Sequence, residues 1–237
     1  MKEVYKEYYI KYIKKSILKV EKEMKILAFD TETTGLPTER NASIMDLEKW
    51  PYILQLSYVV YDTDEKKIIV CEDDIIKIDS EKVVISAESI AIHGITPEIS
   101  QEKGIPIHLA LHKFNKELLK ADLIIGHNIS FDKRMLMVEC NRTKIRQKFT
   151  DYGIRKPEYC TMKNSTELCG IEITNQETGE KYFKFPTLGQ LYTHLFKVDA
   201  PKDLHNALVD VVVCLRCYIK IAYDEDIIAL LEDEFLF

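Results

Sequence analysis

Residues 25–37 read KILAFDTETTGLP, and this stretch narrows the choice of fold more than any other. ILAF is a short apolar run of the kind a buried strand carries, and T-G-L-P stops it sharply. Between the two lie Asp30 and Glu32. Residues i and i+2 of a strand point to one face, so both carboxylates leave the core on the same side. Such a pair is electrostatically expensive unless something cationic sits between its members. A D-x-E is common in itself, about one per chain of this length at average composition. Its position at the carboxyl end of a buried strand gives it weight, because open α/β sheets bind ligands there.

The rest of the chain fits a sheet built around that strand. YILQLSYVVYD is a long strand, TDEKK has hairpin chemistry, and IIVCEDDIIKI returns antiparallel to it. Residues 86–92 predict a short helix stopped at His93-Gly94. PIHLALHKFNKELLK predicts an amphipathic helix with Pro106 near its first turn. ADLIIGHN is a second buried strand, SFDKRMLMVECN a helix, and EYCTM a short strand. TLGQLYTHLFK opens as a helix at Pro186-Thr187, and residues 206–222 form the last long helix. Three strands followed by alternating helices and strands predict an α/β fold with a mixed sheet.

Two segments share a pattern. HNISFD starts at His127 and HNALVD at His205; each reads His-Asn, three residues, then Asp. The first follows a strand and the second a loop, so they are not a structural repeat. Both put His-Asn at a helix entrance and an Asp in its first turns. Asp132 and Asp210 thus join Asp30 and Glu32 as four hard oxygen donors, a set suited to Mg²⁺ or Mn²⁺ rather than zinc. Two such ions about 3.5–4 Å apart serve in-line displacement at phosphorus.

These motifs resemble the DEDDh-type 3′–5′ exonucleases, the DnaQ-like family that includes the proofreading epsilon subunit of bacterial DNA polymerase III. FDTETTG resembles the first family motif, GHNISFD the second and HNALVD the third, in the expected order. IHGIT at Ile92–Thr96 and FPTLGQLYTHLF before the third motif add to the likeness, which runs from about Lys25 to Tyr223.

The resemblance implies an RNase H-like fold. Its mixed central sheet would begin with an antiparallel meander of three strands and be flanked by helices. It also implies an enzyme that releases nucleoside 5′-monophosphates from the 3′ end of single-stranded or frayed DNA. His205 would be the general base that takes a proton from the attacking water. Asp30 would bridge two metal ions, Glu32 and Asp210 would complete the shell of the first, and Asp132 would hold the second through water. His127 would be structural, with Asn128 shaping the site. By the same resemblance Leu36 would wedge beside the terminal base, and Thr33, His93 and Ile95 would border the 3′ nucleotide. RNA is the alternative substrate, and a non-catalytic nucleic-acid-binding module on the same fold is the reading from a different class. A polymerase or clamp is the partner class that the proofreading branch suggests; oligomeric state is left open.

Composition bounds the remainder. Hydrophobic residues make up 46% of the 237-residue chain and charged residues 30%, as expected of an ordinary globular protein. No apolar run approaches the ~18 residues of a membrane span, and the N-terminus alternates charged and apolar residues too evenly for a signal peptide. The six cysteines show no disulfide-framework spacing. Cys214 and Cys217 form a C-x-x-C inside a stretch that reads as one buried helix. A reducing, cytoplasmic setting is the expectation.

The net charge of −6 is unevenly spread. Eight basic residues crowd 133–156, either a solvated helix face or a track for phosphates, and the C-terminal stretch is acidic. Residues 1–23 read as a helical extension rich in Tyr and Lys, 24–223 as the exonuclease domain, and 224–237 as an acidic tail whose terminus frays. The polar loop from Pro37 to Pro51 is longer than the family's tight connection, and is either a gate or an insertion.

Overall fold

The computed structural model of the protein describes residues 23–151 and 153–235; residues 1–22 of the helical extension expected over 1–23 lie outside the described residues. In chain order the strands are β1 (Lys25–Thr33), β2 (Ile53–Asp62), β3 (Lys67–Ile75), β4 (Leu123–Gly126), β5 (Thr150–Asp151), β6 (Ile154–Arg155), β7 (Glu158–Cys160), β8 (Glu172–Thr174) and β9 (Lys181–Phe183). The α-helices are α1 (Ala87–His93), α2 (Pro97–Lys103), α3 (Ile107–Lys120), α4 (Ile129–Thr143), α5 (Thr161–Asn164), α6 (Thr166–Cys169), α7 (Leu188–Phe196), α8 (Ala207–Tyr223) and α9 (Ile228–Phe235). The central sheet has the order β3-β2-β1-β4-β7. β1, β2 and β3 pair antiparallel, whereas β4 lies parallel to both β1 and β7. The expected mixed sheet with an antiparallel start is therefore present.

Both faces of this sheet are covered, which is why ILAF is apolar throughout rather than alternating. Leu27 and Phe29 point to a core formed with Leu56, Tyr58, Phe114, Leu118, Met135 and Leu136 of β2, α3 and α4. Phe114 meets Phe29 and Tyr58 edge-on, with centroids 5.3 and 5.4 Å away. Ile26 and Ala28 point the other way, onto Val59, Tyr61, Val211, Val212 and Leu215. Helix α8 is thus sheet-facing on one side, and its Val213, Cys214 and Cys217 pack against Leu188, Leu191 and Tyr192 of α7 on the other. A helix buried all round tolerates the β-branched run VVV, because packing outweighs local propensity. The C-x-x-C is core, as its setting in the sequence suggests.

The structure differs from expectation at several places. Pro97–Lys103 is helical, with Thr96 capping the Ile99 N–H and Pro97 in its first turn. Two small hairpins, β5–β6 and β8–β9, fill stretches too short and polar to show a period. The acidic end is packed rather than frayed within the described residues. Ile227 and Leu231 are buried against the α8 side of the sheet. Asp226 makes two 2.8 Å bonds with the Arg216 guanidinium.

Much of the basic run at 133–156 is engaged within the protein. Arg134 stacks over Trp50 and donates to the Ala42 carbonyl. Arg142 donates to the carbonyls of Leu47, Trp50 and Pro51 and to Glu139, and lies over the Tyr52 ring. Lys156 holds the Leu119 and Ala121 carbonyls. The two arginines pin the Pro37–Pro51 loop to α4.

Candidate active site

The site forms where β1 runs out of the core. Ile26 and Ala28 face α8, so the period of two carries Asp30 and Glu32 to that face as well. Across the strand pair, Asp30 lies opposite Ser57 and Glu32 opposite Gln55, and the register shifts between Glu32 and Thr33. Beyond this bulge the chain turns. Thr34 and Tyr52 exchange hydrogen bonds, the Thr33 hydroxyl donates to the Gly35 carbonyl, and the Ser86 N–H donates to the Thr34 carbonyl. The turn leaves Leu36 81% exposed.

Asp210 arrives from the first turn of α8, the helix lying on the same face. One ligand oxygen each from Asp30, Glu32 and Asp210 falls within 4.8 Å of the others. Asp132 comes from the opposite side, on the first turn of α4. It is buried and accepts from the Thr31 N–H (3.1 Å) and hydroxyl (2.8 Å). Thr31 is a β1 residue of the α4-facing side, so Asp132 approaches the strand end from below while the other three meet above it. Thr31 was not singled out by the sequence; only the packing of α4 on β1 makes it a partner.

All four carboxyls are pushed up, first by burial and, for Asp30, Glu32 and Asp132, by neighbouring carboxylates as well. Burial, then Asp132, Asp210 and Glu32, hold the Asp30 carboxyl well above the usual carboxylate range. Burial and then Asp210 and Asp132 push Glu32 up to about 8. Burial lifts Asp132 to about 7 despite its Thr31 hydrogen bonds. It also lifts Asp210 to about 6, although the His205 N–H pulls the other way. Hard oxygen donors held together against their mutual repulsion fit a divalent cation, which would offset that repulsion. Asp30, Glu32 and Asp210 would hold it directly, with Asp132 alongside.

The two histidines of the paired segments differ sharply. His127 is hemmed in: Nδ1 meets the Thr161 hydroxyl at 3.0 Å and Nε2 the Pro186 carbonyl at 3.1 Å. Nε2–H therefore donates to Pro186, which leaves Nδ1 as the acceptor. Burial pulls its pKa down to about 4, so it is a neutral brace between β4, α5 and the start of α7. His205 is exposed and sits in the left-handed region, at φ 79°. Its backbone N–H lies 3.3 Å from both oxygens of Asp210. Asn128, at the N-terminus of α4, also has a positive φ, 68°, and its side chain makes no capping bond.

Of the residues expected to border the nucleotide, His93 lies at the site's edge. Its Nε2–H donates to the Thr33 carbonyl at 3.2 Å, Nδ1 accepts from the Ile95 N–H, and burial lowers its pKa. Thr33 is buried, and its carbonyl anchors that histidine. The Ile95 side chain is 5% exposed and packs with Leu54, Ile78 and Ile85, so it reaches the site only through the backbone bond that orients His93.

The RNase_T family, described as exonuclease, matches residues 27–218, a span that contains all three motifs. The chain belongs to this exonuclease family. A search of curated protein sequences gives no match. Among solved structures, the exonuclease fold is similar to E. coli Exonuclease I in complex with a dA16 oligonucleotide. The TM-score is 0.60 at 17% identity, over 85% of this chain and 42% of that one. The zinc-bound form of the E. coli Exonuclease I complex with single-stranded DNA gives 0.60 at 17% identity, over 83% and 40%. A product-bound Exonuclease I gives 0.62 at 16% identity, over 91% and 46%. The chain spans less than half the length of these proteins. The shared fold is a mixed sheet flanked by helices, the RNase H-like exonuclease architecture. Among the described residues no helix is long and apolar enough to cross a membrane.

Proposed function

We propose that the chain is a divalent-cation-dependent 3′–5′ exonuclease of the DEDDh type, acting on the 3′ end of single-stranded DNA and releasing nucleoside 5′-monophosphates. The convergence of Asp30, Glu32 and Asp210 from one strand and one helix, with His205 five residues before Asp210, carries this reading. The similar Exonuclease I structures, which hold a dA16 oligonucleotide and single-stranded DNA, support the substrate class.

When bound, two Mg²⁺ or Mn²⁺ ions would supply positive charge at phosphorus and make water easier to deprotonate. Asp30, Glu32 and Asp210 bind on the α8 face. Asp132, its carboxylate oriented by both Thr31 donors, binds from the α4 side. His205 accepts the proton of the attacking water on an imidazole nitrogen, a role open to an exposed ring and closed to His127, whose two nitrogens are taken. Leu36, exposed at the turn, lies against the terminal base. His93, Thr33 and Asn128 border the 3′ nucleotide, and Ile95 acts through His93. The domain that does this runs from residue 24 to 223.

The test is stepwise digestion of 5′-labelled single-stranded DNA and RNA with Mg²⁺, by the wild type and by Asp30→Ala, His205→Ala and His127→Ala. Shortening of DNA from the 3′ end, abolished in the first two variants and kept in the folded third, supports the proposal. Preference for RNA would move the substrate class. Inertness on both polymers with Mg²⁺ and Mn²⁺ would leave a binding module.

A further inference from the structure

We infer that Gln55 is a positioning residue of the active site, holding the entrance of α8, and with it His205, in place over the acidic cluster. The inference rests on the exonuclease reading above for its kinetic arm. Gln55 is buried on β2, directly across the strand pair from Glu32, and therefore on the face that carries the cluster. Its Oε1 accepts from the backbone N–H of Ala207 at 3.2 Å. That N–H belongs to the first residue of α8, one of the donors that a helix start leaves without an intrahelical partner. His205 lies two residues earlier.

The amide has one workable orientation. Nε2 donates to Asp73 Oδ1 at 2.7 Å, and Ser57 Oγ donates to the same oxygen at 2.6 Å. A carboxylate only accepts, so Asp73 takes the NH₂ end of Gln55 and turns Oε1 toward Ala207. A polar row thus runs from the β3 edge, through β2, to the start of α8. His205 needs such a hold: it has a positive φ, and the bond to Asp210 is made by its backbone rather than its ring. Small misplacements of a reacting group cost large factors in rate. The hydrogen bonds of the Gln55 amide go to Asp73 and Ala207 rather than to the acidic oxygens that would bind a cation.

The test compares Gln55→Met, Asp73→Ala and Ser57→Ala in the full chain, using single-stranded DNA hydrolysis with Mg²⁺, amide exchange of Ala207 and the NMR signal of the His205 ring. Gln55→Met keeps the volume and loses the acceptor. It should lower kcat by about tenfold or more with KM within about twofold. It should also remove the Ala207 protection and shift the His205 signal. Asp73→Ala, an exposed position that spares the core, should lower kcat in the same direction by freeing the amide to turn over. Ser57→Ala keeps the Gln55–Ala207 bond and should retain wild-type kcat and the His205 signal. Unchanged kcat in both Gln55→Met and Asp73→Ala, or an unchanged His205 signal and Ala207 exchange in them, overturns the inference. Should the wild type hydrolyse no nucleic acid, the exonuclease reading fails, while the exchange and NMR arms still decide whether Gln55 holds His205.

Discussion

Glu32 shows what a single residue gives up for the site. Its carboxyl is lifted to about 8 by burial and by Asp210 and Asp132, so its charged form works against the fold. Glu32→Gln keeps the shape and removes that charge. In the presence of a chelator the variant should melt at a higher temperature than the wild type at pH 8, while hydrolysis is lost. Differential scanning calorimetry paired with a DNA-shortening assay checks both halves; a lower melting temperature would mean that the repulsion is already relieved without added metal. This opposition of stability and function is usual where like charges are gathered for catalysis. The positions of Asp30 and Glu32 on one face were legible in the sequence, because they follow from the period of a strand. Gln55 and Thr31 were not. Their partners, Ala207 and Asp132, lie 152 and 101 residues away, and only strand register and helix packing bring them together.

Among the elements, the Pro37–Pro51 loop is a fixed wall. Arg142 ties it to α4 through three backbone carbonyls while neutralising Glu139, whose side chain is 4% exposed. Removing the guanidinium strands a buried carboxylate, a loss of about 3–5 kcal/mol. Arg142→Ala should show that loss in urea denaturation. Arg142→Lys should fall between it and wild type, since an ammonium cannot make the forked set of bonds. A wild-type denaturation midpoint for Arg142→Ala would show that the loop holds without the clamp. The sequence presented Arg142 as one of a run of basic residues open to phosphate; the fold spends it on carbonyls. Likewise the acidic end looked frayed because its charges dominate its composition. Ile227 and Leu231 supply the buried face that the pattern of acids hid.

For the whole molecule, the cluster predicts how stability depends on pH and metal. The folded pKa of Glu32 lies above its unfolded value of 4.5, so between pH 4.5 and about 8 the folded state holds a proton that the unfolded state releases. Stability must therefore fall as pH rises through that window, and the same sign applies to Asp132 up to about 7 and Asp210 up to about 6. In chelator, the melting temperature should decline from pH 5 to pH 8. On the proposed reading Mg²⁺ would bind the ionised cluster of the folded state alone, so it should raise the melting temperature more at pH 8 than at pH 5. A scan of melting temperature against pH with and without Mg²⁺ measures both effects, and a flat difference between the two curves would argue against a cation at these carboxylates.

By itself the sequence determined the elements and the chemistry they carry. The apolar run before D-T-E made a buried strand, period two put both acids on one face, and the helix entrances after His127 and His205 placed Asp132 and Asp210 in first turns. Those are local matters, settled by backbone geometry within a few residues. Tertiary structure decided which side of β1 each helix covers. It set α8 with Asp210 above the strand and α4 with Asp132 below it, locked His127 between Thr161 and Pro186, and left the ring of His205 exposed. The difference is physical: side-chain direction follows from the dihedrals of one segment, whereas convergence of charges depends on how buried faces far apart in the chain find one another.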